Sequence, residues 1–230
     1  MLTNRLEAIA NEIENGESMA DIGTDHGYLP MYLFTNKISP KVIMTDVSKG
    51  SLNKARENCK EICPDIKFDL RLGNGLKVIK NNEVDDIVIA GMGGVLISDI
   101  LGKDLEKSKN FKKIIMQPRT AQGRLRYWLI KKGFAITNEK LVREGRFICE
   151  IITASYGEPD EAMKLDAGPD SIMWEMPTWL ATSGDPLVRE FIDNKIEREK
   201  RILTSMKNSK SMKKEDFAAI EANIRYLESL

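Results

Sequence analysis

Met19-Ala20-Asp21-Ile22-Gly23-Thr24-Asp25-His26-Gly27-Tyr28-Leu29-Pro30 reads as the end of a buried strand, a glycine-bearing turn and the first turn of a helix. A strand passing into a helix through such a turn presents backbone N–H groups and acidic side chains to one ligand. Gly23 permits a turn that a Cβ would obstruct, and Gly27 lets the helix begin close to whatever lies in the crevice. The spacing is Asp-x-Gly-x-x-x-Gly, not the Gly-x-Gly-x-x-Gly that seats a pyrophosphate. Where that fingerprint keeps a second glycine, this chain has Asp25, beside His26, its only histidine. A carboxylate is a poor host for phosphate and a good one for a cation. S-adenosylmethionine (SAM), with a sulfonium, an ammonium and no phosphate, fits this loop better than NAD.

Outward from this stretch, apolar segments alternate with helical ones. Residues 2–13 have helical spacing (Leu6, Ile9, Ala10, Ile13) and stop at Asn15-Gly16. Strands are expected over 18–22, 41–45, 67–71, 84–90 and 113–117. Helices are expected over 28–35, 48–62 with Ser48 as N-cap, 94–101 and 121–132. Residues 134–142 and 147–154 alternate like an antiparallel ribbon around Glu144-Gly145. Strands alternating with helices imply an α/β fold with a doubly wound, Rossmann-like parallel sheet, and the antiparallel ending is that of a SAM-dependent methyltransferase sheet. The ligand then belongs beyond the carboxyl ends of the strands, where 21–27, Asp46, 73–75 and 91–94 all fall. Four Gly-, Asp- or Asn-bearing strand ends on one edge carry more weight than any single motif.

From Gly157 the character changes. Residues 158–185 are acidic and, with Pro186 just beyond, carry Pro159, Pro169, Pro177, Trp174 and Trp179. Ile192, Ile196, Leu203 and Met206, then Phe217, Ile220, Ile224 and Leu227, mark two amphipathic helices with a turn at Asn208-Ser209. Together they make a C-terminal coiled-coil hairpin. The division expected is 1–156 for a methyltransferase domain and 157–230 for a helical one. The hairpin reads either as a packing element or as an RNA-gripping arm with Lys207, Lys210, Lys213 and Lys214 at its tip.

With 230 residues, 42% hydrophobic and 30% charged, the chain can build an ordinary core. No run of about 18 apolar residues suggests a membrane span, and the first residues lack a signal pattern. Three cysteines and one histidine make neither a disulfide framework nor a zinc site. These features point to a cytoplasmic protein without a metal. The net charge of zero hides a partition: residues 103–148 carry 13 basic and 4 acidic groups, whereas 149–186 carry 1 and 8. Zero net charge argues against a DNA-coating protein; the local excess of nine suits a phosphate-binding face or a solvated surface equally.

Each strand end suggests a role. Asp46 can accept both ribose hydroxyls of an adenosine cofactor, which does not separate SAM from NAD. Gly73-Asn74-Gly75 offers an amide to the adenine edge, or is only a turn. Gly91-Met92-Gly93-Gly94 ends the fourth strand where the methyl group should lie, and its glycines admit a planar base. The Asn-Pro-Pro-Tyr motif of exocyclic-amine methylation is missing, which favours a ring nitrogen. Gln117-Pro118-Arg119 opens the basic segment; Arg119 could pair with phosphate, as could Arg124 and Arg126. His26 is either a structural group or a substrate contact.

These motifs resemble the bacterial tRNA (adenine-22-N1)-methyltransferase family, class I SAM-dependent enzymes. The matching stretches are residues 19–30, 73–79, 89–97 and 117–129, with Arg5-Leu6 and Cys149-Glu150. Asn74 departs from the family's usual Gly-Asp-Gly. The resemblance implies methyl transfer from SAM to N1 of an adenine in the D-loop region of tRNA. It places Asp21, Gly23, Thr24, Gly27, Asp46, Val47, Gly73, Asn74, Gly75, Ala90 and Gly91 around the cofactor. Asp25, His26, Gly91, Met92 and Gly93 would stand at the reacting atoms, and Arg5, Arg119, Arg124, Arg126, Lys131 and Lys132 on the tRNA. A monomer or weak dimer is expected. A small-molecule methyltransferase and a non-catalytic RNA-binding protein on the same fold are the rival readings, with an NAD oxidoreductase further off.

Overall fold

The computed structural model describes residues 2–207 and 214–230. Seven strands form one sheet: β1 (Met19–Ile22), β2 (Val42–Asp46), β3 (Asp69–Leu72), β4 (Asp86–Met92), β5 (Lys113–Pro118), β6 (Phe134–Glu144) and β7 (Phe147–Tyr156). Their order is β3-β2-β1-β4-β5-β7-β6. The first five are parallel, and β7 lies antiparallel between β5 and β6. Both faces are covered, so the inner strands read as near-continuous apolar runs. In β4, Ile87 and Ile89 face one core and Val88 the other; in β5, Ile114 and Met116 oppose Ile115.

One face carries α1 (Asn4–Ala10) and α2 (Tyr28–Thr35); α3 (Lys49–Ile62) joins β2 to β3. On the other pack α4 (Gly94–Lys103), α5 (Leu105–Ser108) and α6 (Gln122–Lys131). Ser48 caps α3 as its sequence suggests, accepting from the Ser51 N–H at 3.3 Å. Helix α1 ends earlier than expected, with Asn11 as its C-cap. The reason is Glu12, which turns inward to accept from the Thr153 hydroxyl (2.8 Å) and the Asn138 amide and to pair with Lys140. Strand β4 runs two residues further than expected, through a bulge at Gly91 (φ +77°).

After β7 come two short helices, α7 (Ile172–Glu175) and α8 (Thr178–Ala181), and then α9 (Val188–Lys207) and α10 (Lys214–Glu228). Trp174 is fully buried in the same core as α4 and α6. Ile192, Ile196 and Leu227 close a further cluster with Leu141 of β6, Met176 and Leu180. The Tyr226 hydroxyl donates to the Met176 carbonyl at 2.8 Å. The helical hairpin is thus fastened at its base to the sheet. The expected turn at Asn208-Ser209 and the lysines 210 and 213 lie outside the described residues, as do the side chains of Lys207 and Lys214. Among the described residues no helix is long and apolar enough to cross a membrane.

Candidate active site

The sheet order reverses between β1 and β4, so the loops leaving these strands diverge and open a crevice at their carboxyl ends. A cleft of about 500 Å³ lies there. It is lined by Asp21, Gly23, Thr24, Asp25, His26, Asp46, Val47, 73–75 and 90–92, and of the strand-end glycines expected there Gly27, Gly93 and Gly94 do not line it. Gly27 instead opens α2 with φ +73°, where a Cβ would press on Met44 and Ala55. Gly93 precedes α4, against Thr120.

The backbone of the first turn is held by β2. The N–H groups of Gly23 and Thr24 both donate to the Thr45 carbonyl at 2.9 Å. This leaves Asp21 buried at the floor, 6% exposed, accepting from the Thr24 hydroxyl at 2.8 Å. Burial pushes its carboxyl up to about 6; the Thr24 bond opposes this and the Asp46 charge adds to it. A bound cation would reverse that shift. Asp46 spends one oxygen on the Ser48 N–H (2.7 Å) and receives the Asp25 N–H on the other at 3.4 Å, leaving acceptor capacity toward the cleft. Val47, Leu96 and Ile100 give the cleft apolar walls.

Asp25 adopts a left-handed backbone (φ +48°), uncommon for a side chain other than glycine. That turn sets its carboxylate at the mouth, 3.4 Å from Nε2 of His26. The His26 ring stacks on Tyr28, centroids 5.5 Å apart and planes within 5°. Tyr28, which the motif reading passed over, therefore makes a planar, half-exposed rim of the cleft together with His26. Its signal was its place two residues after the histidine, at the start of α2.

Across the cleft the bulge at Gly91 tips Met92 over the first turn, and a Cβ on Gly23 would overlap its Cε methyl. Gln117, 3% exposed, braces this loop. Its Oε1 accepts from the Gly91 N–H (3.2 Å) and from Arg5 Nη1 (3.3 Å), while its amide donates to the Pro118 carbonyl at 3.1 Å. Arg5 also pairs with Glu144 at 3.9 Å. The Arg119 N–H donates to the Met92 carbonyl and the Gly94 N–H to the Thr120 carbonyl, each at 2.7 Å.

The expected cationic residues divide. Arg5 and Arg119 line the cleft. Arg124 pairs with Asp170, and Lys131 lies over the Tyr127 ring at 5.7 Å; these two and Lys132 do not line it. Arg126 corrects the sequence reading. It is 0% exposed, bound by Glu139 (2.8 Å), Glu150 and the Trp174 carbonyl (2.9 Å), and has no surface for RNA. The sign was in its spacing: it precedes Leu129 and Ile130 by three and four, on the buried face of α6. The basic segment is likewise dispersed, since Lys112 and Lys113 pair with Glu14 and Glu17 at the opposite end of the sheet.

A doubly wound sheet with an antiparallel β7 and an acidic cleft at its switch point defines a methyltransferase domain, and residues 2–152 match the family model of that description. Within that class the chain belongs to the tRNA (adenine(22)-N(1))-methyltransferase family. It is 36% identical over 170 residues to the enzyme of that name from Bacillus subtilis (strain 168), spanning 73% of this chain and 71% of that one. Streptococcus pneumoniae Sp1610, solved in complex with S-adenosyl-L-methionine, superposes with a TM-score of 0.85 at 28% identity, over 100% of this chain and 99% of that one. M. capricolum TrmK, solved with S-adenosylhomocysteine, gives 0.81 at 26%, over 100% and 97%.

Proposed function

We propose that this chain transfers the methyl group of SAM to N1 of an adenine in tRNA, at position 22 in the D-loop region. The observation that carries the reading is the cleft itself: three carboxylates, Asp21, Asp25 and Asp46, converge on a glycine turn with no phosphate-seating fingerprint. That donor set suits a sulfonium, an ammonium and a ribose.

When bound, SAM supplies an electrophilic methyl that passes to the N1 lone pair as the carbon–sulfur bond breaks, leaving S-adenosylhomocysteine and a cationic base. The residues have the remaining tasks. Asp46 has acceptor capacity for the ribose hydroxyls, and Asp21 for the cationic end of the cofactor. Val47 and Ile100 enclose the adenine beside Asn74. Gly91 and Met92 close over Gly23 and keep water from the transfer edge. N1 needs no base to expose its lone pair, so His26 need not take a proton. The stacked His26–Tyr28 rim offers a face to the extruded adenine, and Asp25 stabilises the positive charge that develops on it. We place the enzyme in the cytoplasm, acting on tRNA as a monomer or weak dimer.

The test is incubation with SAM and an unmodified tRNA pool, followed by nucleoside mass spectrometry. New 1-methyladenosine, lost when adenine 22 is replaced, supports the reading. SAM binding without any methylated nucleoside overturns it in favour of a small-molecule acceptor.

A further inference from the structure

Beside the cofactor cleft lies a second groove of about 760 Å³, between the β6–β7 turn, the turn after β5 and one side of α9. Arg119 lines both, and its N–H is bonded to the Met92 carbonyl, so the groove continues from the transfer edge.

The charges in it are unequal in their commitments. Its four acidic residues are engaged: Glu150 by Arg126, Glu175 by Lys195 and the Gly123 N–H, Asp170 by Arg124, and Glu199 by Asn223. Arg119, Arg146, Arg198 and Arg201 are exposed and have no acidic partner among the described residues. All four are arginines, whose planar forks take phosphate bidentately and stack on flat rings.

Phe147 supplies an aromatic surface. It is 61% exposed at the hairpin tip, with the Arg146 guanidinium 5.0 Å from its ring centroid. The other apolar side chains of the groove, Ile148, Ile172 and Phe191, are buried or half-buried, so Phe147 does not belong to a wider apolar patch. A single exposed ring, backed by Arg146 and set among guanidinium groups without acidic partners, is the composition of a base-stacking platform on a phosphate track.

We propose that this groove is a second nucleotide subsite, in which Phe147 with Arg146 stacks an unpaired base flanking the acceptor adenine. Arg119, Arg198 and Arg201 hold the adjoining phosphates. The proposal rests on the tRNA reading above and adds to it where the substrate chain leaves the cleft.

The test compares full-length wild type, Phe147→Ala, Phe147→Trp and the double variant Arg198→Ala/Arg201→Ala. It measures steady-state methylation of an unmodified tRNA transcript, the affinity for that transcript over a range of salt and, by calorimetry, SAM affinity. Phe147→Ala should raise the KM for tRNA about tenfold with SAM affinity unchanged, and Phe147→Trp should restore it. The double variant should lose about two units from the slope of log tRNA affinity against log salt. A wild-type KM and salt slope in these variants, with wild-type methylation intact, would overturn the subsite alone. No methylation by wild type overturns the tRNA reading and the subsite with it.

Discussion

The side-chain oxygen of Gln117 accepts the backbone N–H of Gly91 at 3.2 Å, tying the end of β5 to the bulge that ends β4. The same oxygen holds Arg5 of α1 at 3.3 Å, so three separate elements meet at one buried amide. Gln117 does not line the cleft, whereas Gly91 and Met92 do; it is a positioning residue for that loop.

Removing Gln117 would leave the Gly91 N–H without its acceptor, at a cost of about 1–3 kcal/mol. We expect Gln117→Ala to lower kcat by about 10- to 100-fold while the Kd for SAM changes only a few-fold. Gln117→Glu keeps the accepting oxygen beside Arg5 and should recover most of the rate. Equal losses in kcat and SAM affinity, or no rescue by glutamate, would make Gln117 a general support of the fold instead.

Cofactor affinity should depend on acidity through Asp21. Its carboxyl is raised to about 6 by burial in the free protein, and a cation in the cleft favours the ionised form. Below pH 6 binding must then displace a proton, so the Kd for SAM should rise by up to about tenfold per pH unit as pH falls from 6 to 5. Asp21→Asn should abolish this pH dependence and weaken SAM binding at pH 7.5. It should also stabilise the cofactor-free protein at that pH, by on the order of 2 kcal/mol, since a raised carboxyl costs stability once ionised. Calorimetric titrations at pH 5, 6 and 7.5 measure the first effect and thermal unfolding the second. A pH-independent Kd in wild type would remove Asp21 from contact with the cation.

The edge that holds the cleft was legible because each of the first four strands ends at or beside a Gly, Asp or Asn just where its apolar run stops. The sharp turn at residues 23–27 left the same trace. Less legible were contacts made by side chains distant in sequence. Gln117 looks like any strand-end amide until Gly91 and Arg5 are seen to share it. Arg126 reads as one more positive charge until Glu139 and Glu150 arrive from β6 and β7. Local spacing carries the faces of an element, but the partner on the other element is set by the sheet order, which a single sequence does not state.

Arg126 and Arg124 therefore separate cleanly in experiment. Taking away Arg126 leaves Glu139 and Glu150 buried without their counter-charge, and breaking such a buried pair costs about 3–5 kcal/mol. We expect Arg126→Ala to lower the Tm by on the order of 10 °C. Arg124 is exposed and, among the described residues, pairs with Asp170 alone, a kind of contact worth about 0–1 kcal/mol, so Arg124→Ala should leave Tm nearly unchanged. Differential scanning calorimetry of the two variants decides. Similar Tm values for both would mean that the glutamates find other partners or take up protons.

Asp86 makes the last prediction, at the end of the sheet opposite the cleft, where β4 begins beside Met19 of β1. It is fully buried, and neither of its oxygens has a hydrogen-bond partner among the described residues. Burial first, then the neighbouring Glu17 and the Asp85 charge, push its carboxyl up to about 8 against the pull of Lys113. Glu17 is itself opposed by burial, but bonds from Lys112 and Lys113 draw it down to about 2. A protonated Asp86 can donate to Glu17, which gives the orphaned group a partner. The folded protein then holds a proton that the unfolded chain releases near pH 4, so stability falls as pH rises from about 4 to about 8. Asp21 contributes a slope of the same sign only up to about 6, so the range above pH 6.5 isolates Asp86. Urea unfolding at pH 6.5 and 8.5 should show wild type losing about 2 kcal/mol. Asp86→Asn, whose amide donates to Glu17 at either pH, should be flat over that interval and more stable than wild type at pH 8.5. A wild-type profile as flat as the variant's would mean that Asp86 is ionised when folded and held by Lys113.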